Sequence, residues 1–178
     1  MPVATIELKN PGTHQTWRHA IKQYQTDRDP RAPLFDFKKR ALVHFAADPD
    51  EVWMTTRLAK EKTFFLPFNR GNDGAAGNPP GENGHYPVSY FWERVLQKDN
   101  WLHIFHRFVL QERKEAQDAG GKTYFKEGLI FPRFHQWEGV TKMIDAVRVE
   151  GAGQPYLIQH SAGSGKTNTI AWTAHSLI

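Results

Sequence analysis

The stretch YLIQHSAGSGKTN, residues 156–168, joins an apolar run to a glycine-rich turn and leads into a helical pattern that runs to Ile178. Strand, loop, helix is the setting in which glycines let successive backbone N–H groups turn inward around an anion, with the helix N-terminus adding partial positive charge. Gly165, Lys166 and Thr167 fill the last three positions of G-x-x-x-x-G-K-[ST], and His160 stands where the motif begins with glycine. Ser161, Ala162, Gly163, Ser164 and Gly165 form a candidate cradle for ATP. Lys166 is placed to reach its β- and γ-phosphates, and the Thr167 hydroxyl is a candidate ligand for Mg²⁺. PYLIQH, residues 155–160, is expected as a buried strand ahead of this loop.

Working outward, FPRFHQWEGV (131–140) opens a helix expected from about His135 to Val149, with Trp137, Val140, Met143, Ile144 and Val147 on one face. Gln136 stands at its start. In helicase-type motors a glutamine so placed can read the adenine edge, its amide donating one hydrogen bond and accepting another. GGKT at 120–123 looks superficially like a second phosphate loop, but it follows a helical pattern and is expected as a helix C-cap and turn.

At the other end, VATIEL (3–8) is β-rich, and Trp17, Ala20, Ile21 and Tyr24 give helical spacing from Gln15 to Gln25, stopped by the prolines of DRDPRAP. Glu7 and Lys9 lie two apart on the strand, so both side chains leave one face. A carboxylate there can bind a divalent metal, and an ammonium beside it can orient a water for attack on phosphorus. A hydrolytic Mg²⁺ site of this kind takes a second carboxylate from a neighbouring strand, expected before Met1. FDFKKRALVHFA (35–46) reads as a short helix or a strand, and VWMTTRL (52–58) and TFFLPF (63–68) read as strands. Residues 69–87 are too rich in glycine, asparagine and proline for a regular element. Val88 to Gln117 carries two helical patterns separated near Asp99, followed by a connector over 118–132 and a domain boundary near Leu129.

The 178 residues suit one ordinary domain or pieces of two, and 39% apolar, 24% charged and 13% aromatic content argues for packed structure. A net charge of +4 suits a polyanionic partner. Cysteine is absent, which excludes disulfides and thiolate metal sites. Neither a signal peptide nor a membrane span of about 20 apolar residues is visible, so a soluble, cytoplasmic protein without a membrane partner is expected.

With E-x-K at one end and FPRFHQ and YLIQHSAGSGKT at the other, the chain resembles the restriction (R) subunit of type I restriction-modification systems. The stretches FDFKKRALVHFA, VWMTTRL, FLPFNRG and GNPP carry the likeness across the middle. The resemblance implies an α/β fold in three parts. Residues 1–50 would end a nuclease domain of the PD-(D/E)xK class, 51–128 would link it to a motor, and 129–178 would begin the first RecA-like lobe of a superfamily 2 translocase. It further implies ATP and Mg²⁺ as cofactors, and double-stranded DNA with methyltransferase and specificity subunits as partners. Glu7 and Lys9 match the family's E-x-K pair, with Glu7 a metal ligand, and Gln23 falls where the family has a glutamine on the next helix. Asp27 occupies a position where some members carry tyrosine. The nuclease aspartate would precede Met1, and the acidic ATPase motif and arginines would follow Ile178, so an isolated piece is expected to be inactive. Two other readings stay open on the residues alone: another P-loop kinase or small NTPase, and a non-catalytic remnant that binds DNA through a basic surface.

Overall fold

The computed structural model describes residues 2–178. Its first sheet has four strands in the order β1 (Ala4–Leu8), β2 (Val43–Ala47), β3 (Val52–Thr55), β4 (Leu66–Pro67). β1 runs parallel to β2, with Glu7 opposite Ala46, while β2, β3 and β4 pair antiparallel. The parallel pair is joined by helix α1 (Trp17–Thr26), which packs on the sheet through Ala20 and Tyr24. The start of α1 is fixed from outside: Trp17 N–H donates to Asp48 Oδ2 at 2.9 Å, satisfying one of the donors a helix leaves free. β2 is buried throughout, so its residues feed two cores. His44 and Ala46 face α1, and Val43, Phe45 and Ala47 face the larger apolar cluster.

That larger cluster is aromatic. Phe45, Phe68, Phe91, Phe108, Phe131, Phe134, Trp137 and Trp172 pack with Val43, Val52 and Met54. The rings come from β2, from a π-helical turn (Phe91–Val95), and from helices α2 (Lys98–Arg107), α3 (Phe134–Glu150) and α4 (Lys166–Leu177) and the segments flanking them. Ring centroids lie 4.7–6.2 Å apart; Phe45–Phe68 and Tyr90–Phe134 meet edge-to-face, as aromatic quadrupoles favour, while Phe45 is tilted against Phe91 and Trp101. Among the described residues, no helix is long and apolar enough to cross a membrane.

Three stretches depart from the sequence expectation. Leu110–Gln117, placed at the end of a helical pattern, is strand β5. Thr123–Ile130, placed in a connector, is strand β6. They pair antiparallel over eight residues as a two-stranded ribbon. GGKT is therefore part of a hairpin turn and not a helix cap: Asp118 Oδ1 accepts the Gly120 and Lys122 N–H groups, and Gly121 takes φ +79°, which a side chain would strain. The strand expected over Pro155–His160 is not formed. No described strand lies beside it to receive its ladder hydrogen bonds, and Leu157 is 92% exposed. The mixed α/β class holds, with small sheets, but without that first strand.

A buried polar knot ties α1 to the first sheet. The Thr5 hydroxyl bonds both Tyr24 OH and His44 Nδ1 at 2.8 Å. Burial raises the Tyr24 phenol and pushes the His44 imidazole down to about 4. The unfolded chain would take up this proton near pH 6.5, so the native state binds fewer protons between those values. Stability from His44 is complete above pH 6.5 and is lost as pH falls towards 4, by about 3 kcal/mol in total. Urea midpoints at pH 7 and pH 4.5 should differ less in His44→Phe than in the wild type; an equal pH dependence would show that another group is responsible.

Candidate functional site

Two groups of predicted residues are brought together. The first sits on the α1 side of β1. Alternation turns Thr5, Glu7 and Lys9 toward the helix, while Ile6 and Leu8 are exposed on the other face. Lys9 Nζ donates to Gln23 Oε1 at 2.5 Å, so the strand lysine and the helix glutamine meet across a layer boundary. Glu7 pairs instead with a residue that sequence reasoning missed. Arg28 Nε donates to Glu7 Oε1 at 2.8 Å, and Arg28 Nη2 donates to the same oxygen. Arg28 follows the end of α1, in the DRDPRAP break, 21 residues from its partner, and no periodicity marks it. The Asp27 side chain bonds only its neighbour, the Thr26 hydroxyl, among the described residues. Two polar pairs, Lys9–Gln23 and Arg28–Glu7, thus stand on the α1 side of β1. The group offers one carboxylate, and among the described residues no set of three or more His, Cys, Asp or Glu side chains gathers to hold a metal.

The second group is the glycine-rich loop over residues 160–167, expected from the sequence to cradle phosphate. Gly163 and Gly165 take φ +72° and +81°, the left-handed conformations that let adjacent N–H groups point the same way. Ser164 N–H donates to Ser161 O at 3.3 Å, whereas the N–H groups of Ala162, Gly163, Gly165, Lys166 and Thr167 have no acceptor among the described residues. The exposed Lys166 ammonium folds back on the loop, donating to His160 O at 3.2 Å and Ser161 O at 3.0 Å. Thr167 is exposed on the first turn of α4. The buried Ser164 hydroxyl has no partner among the described residues.

Gln136 fastens this loop to α3. Its Oε1 accepts the Arg133 N–H at 2.9 Å, which caps the helix start. Its Nε2 donates to Ser164 O at 3.2 Å and Gly165 O at 3.0 Å. The amide that was expected to read adenine is therefore committed to backbone, and a Cβ on Gly165 would come within 2.5 Å of Nε2. His135 adds a hydrogen bond to Ser164 O at 3.2 Å and meets the His160 ring edge-on at 4.9 Å. Burial, chiefly, holds both imidazoles below their ordinary range; the neighbouring His160 adds to this at His135, and the Lys166 ammonium at His160. This histidine pair was not foreseen, although the motif's His160-for-glycine departure was its signal. A cavity of about 610 Å³ opens beside the loop, with Ser161 and Ser164 on one wall, Arg133 and His135 above them, and the Arg70–Gly77 turn opposite.

No curated protein and no solved structure is significantly similar to the chain. Residues 1–63 match the family model described as Type I restriction enzyme R protein N terminus (HSDR_N), so the segment that carries Glu7, Lys9 and Gln23 is similar to the nuclease-related start of a restriction-enzyme R subunit.

Proposed function

We propose that the chain acts as part of the R subunit of a type I restriction enzyme, in which ATP-driven translocation of double-stranded DNA is coupled to endonucleolytic cleavage of unmodified DNA. The observation that carries this reading is the match of residues 1–63 to the family, within which Lys9 bonds Gln23 and Glu7 lies on the same face of β1. On this reading residues 1–50 belong to the nuclease, 51–128 link it to the motor, and 129–178 begin the first RecA-like lobe. Methyltransferase and specificity subunits are its partners.

The phosphate loop fits ATP. Its unpaired N–H groups and the two left-handed glycines form an anion nest, with the positive end of α4 behind it. Lys166 would exchange two loop carbonyls for phosphate oxygens, and the cavity beside the loop has room for ribose and base. ATP with Mg²⁺ supplies the phosphoryl-transfer free energy when bound, and Thr167 is the residue here whose hydroxyl can reach the metal. At Glu7 the fit is poorer: the single carboxylate is already paired with Arg28, and no step through a metal is derived there.

Calorimetric titration of the chain with ATP and Mg²⁺ tests the nucleotide half of the reading. Uptake is expected, weakened about 10- to 100-fold in Lys166→Ala, the loss of one or two charge-assisted hydrogen bonds. The melting temperature should barely move, because the exposed side chain bonds only loop carbonyls. Equal uptake by wild type and variant would exclude the assignment.

A further inference from the structure

Gln136 is 4% exposed and does not line the cavity beside the glycine-rich loop, although its neighbours Arg133 and His135 do. Its amide is committed inside the protein. Oε1 accepts the Arg133 N–H, and Nε2 donates to the Ser164 and Gly165 carbonyls. Gly165 makes room for this contact, since a Cβ there would stand 2.5 Å from Nε2. Turning the amide outward to meet a base would exchange three hydrogen bonds for at most two. It would also release the loop from α3 where phosphate has to be held.

Among the described residues, the cavity wall offers no fixed substitute. Asn69 Oδ1 accepts the Val52 N–H at 2.8 Å and Asn78 Nδ2 at 3.1 Å, and Asn69 Nδ2 donates to Glu51 Oε2 at 3.1 Å. The same carboxylate oxygen accepts the Trp53 indole N–H at 3.0 Å. The facing turn closes on itself, with Gly71 N–H donating to Gly77 O at 2.9 Å and Asn72 N–H to Ala75 O at 3.0 Å. Asp73 and Gln159 are exposed, and no hydrogen bond fixes either side chain among the described residues. Arg70 and Arg133 bring guanidinium donors, which suit the N7 acceptor that adenine and guanine share.

Telling adenine from guanine takes a donor and an acceptor held against the edge where the two purines differ. A site built that way rejects the wrong base because its own buried groups would be left unpaired. The unpaired N–H groups of the loop, by contrast, meet the same phosphates whichever base is attached.

We propose that the loop takes purine nucleoside triphosphates by their phosphate chain without discriminating the base, and that Gln136 is a positioning residue that holds the loop in shape. This rests on the nucleotide reading of the loop given above.

The test is calorimetric titration of the full chain with ATP and with GTP, each with Mg²⁺. The two dissociation constants should agree within about threefold, whereas two base-reading hydrogen bonds would separate them by about tenfold or more. A larger preference for either purine overturns the inference and leaves the phosphate loop standing. No uptake of either nucleotide removes the nucleotide reading itself, and the inference with it. Gln136→Ala, titrated at a temperature where melts show it folded, should bind both nucleotides about tenfold more weakly, with the ratio between them unchanged. A loss confined to ATP would show that Gln136 reads adenine, and unchanged affinity for both would show that it does not position the loop. The wild-type comparison decides base discrimination even where the variant does not fold.

Discussion

On the function proposed above, DNA cleavage by the assembled complex is expected to fall at least about a hundredfold when Glu7 is replaced by glutamine, the scale of losing a positioned charged group at a reacting centre. Nucleotide uptake at the phosphate loop should stay as it was. Glutamine keeps the shape of the side chain on β1 but removes its charge. It can neither hold a cation nor polarise a water, and it leaves Arg28 without its anion. The stability cost should be small, because the Arg28 side chain is 34% exposed and such partly solvated pairs contribute about 1 kcal/mol or less. Plasmid linearisation and calorimetry on the same preparation separate the outcomes. Full cleavage by the variant would make the E-x-K pattern an ordinary strand edge. Lost cleavage with lost nucleotide uptake would point to a folding defect.

Phe45→Ala should be the most destabilising single truncation, by about 3–5 kcal/mol. The ring is fully buried on the middle of β2 and lies between Phe68, Phe91, Trp101 and Phe131, with centroids 5.5, 4.8, 6.2 and 5.9 Å away. Those neighbours come from four different segments, so the cavity left by truncation cannot close by moving one of them. Domains commonly hold only about 5–15 kcal/mol in reserve, and a loss of this size would move the urea midpoint far toward zero. Phe45→Leu keeps most of the volume and should lose much less. A shift under about 1 kcal/mol for alanine would mean that the aromatic cluster does not close around this residue.

What could be read from the sequence was whatever is local. Period two along VATIEL placed Glu7 and Lys9 on one face, and period 3.6 located α1, α3 and α4 to within about two residues. The left-handed glycines at 163 and 165 followed from the phosphate-loop pattern. The misses have tertiary causes. LQERKEAQ is made of helix formers, yet its partner TYFKEGLI, delivered by the Asp118–Lys122 turn, holds it extended. PYLIQH has strand composition, but among the described residues nothing offers it a ladder. Arg28 and the commitment of Gln136 to the loop carbonyls depend on contacts 21 and 29 residues apart, which neither propensity nor spacing encodes.

The β5–β6 ribbon bears on how this chain behaves in concentrated solution. Each strand pairs only with the other, and apart from the Leu129 and Glu127 carbonyls, which accept from Thr56 and Arg57, their outer edges have no strand partner among the described residues; Tyr124 and Phe125 stand exposed near the tip. Such rims invite self-association into extended aggregates. Lys114 and Lys126 face one another directly across the ribbon, with Glu112 close to Lys114 at 2.9 Å, and this crowding of charge works as a gatekeeper against stacking. The like-charged lysine pair weakens the hairpin slightly, and that small loss accompanies solubility at its most adhesive point.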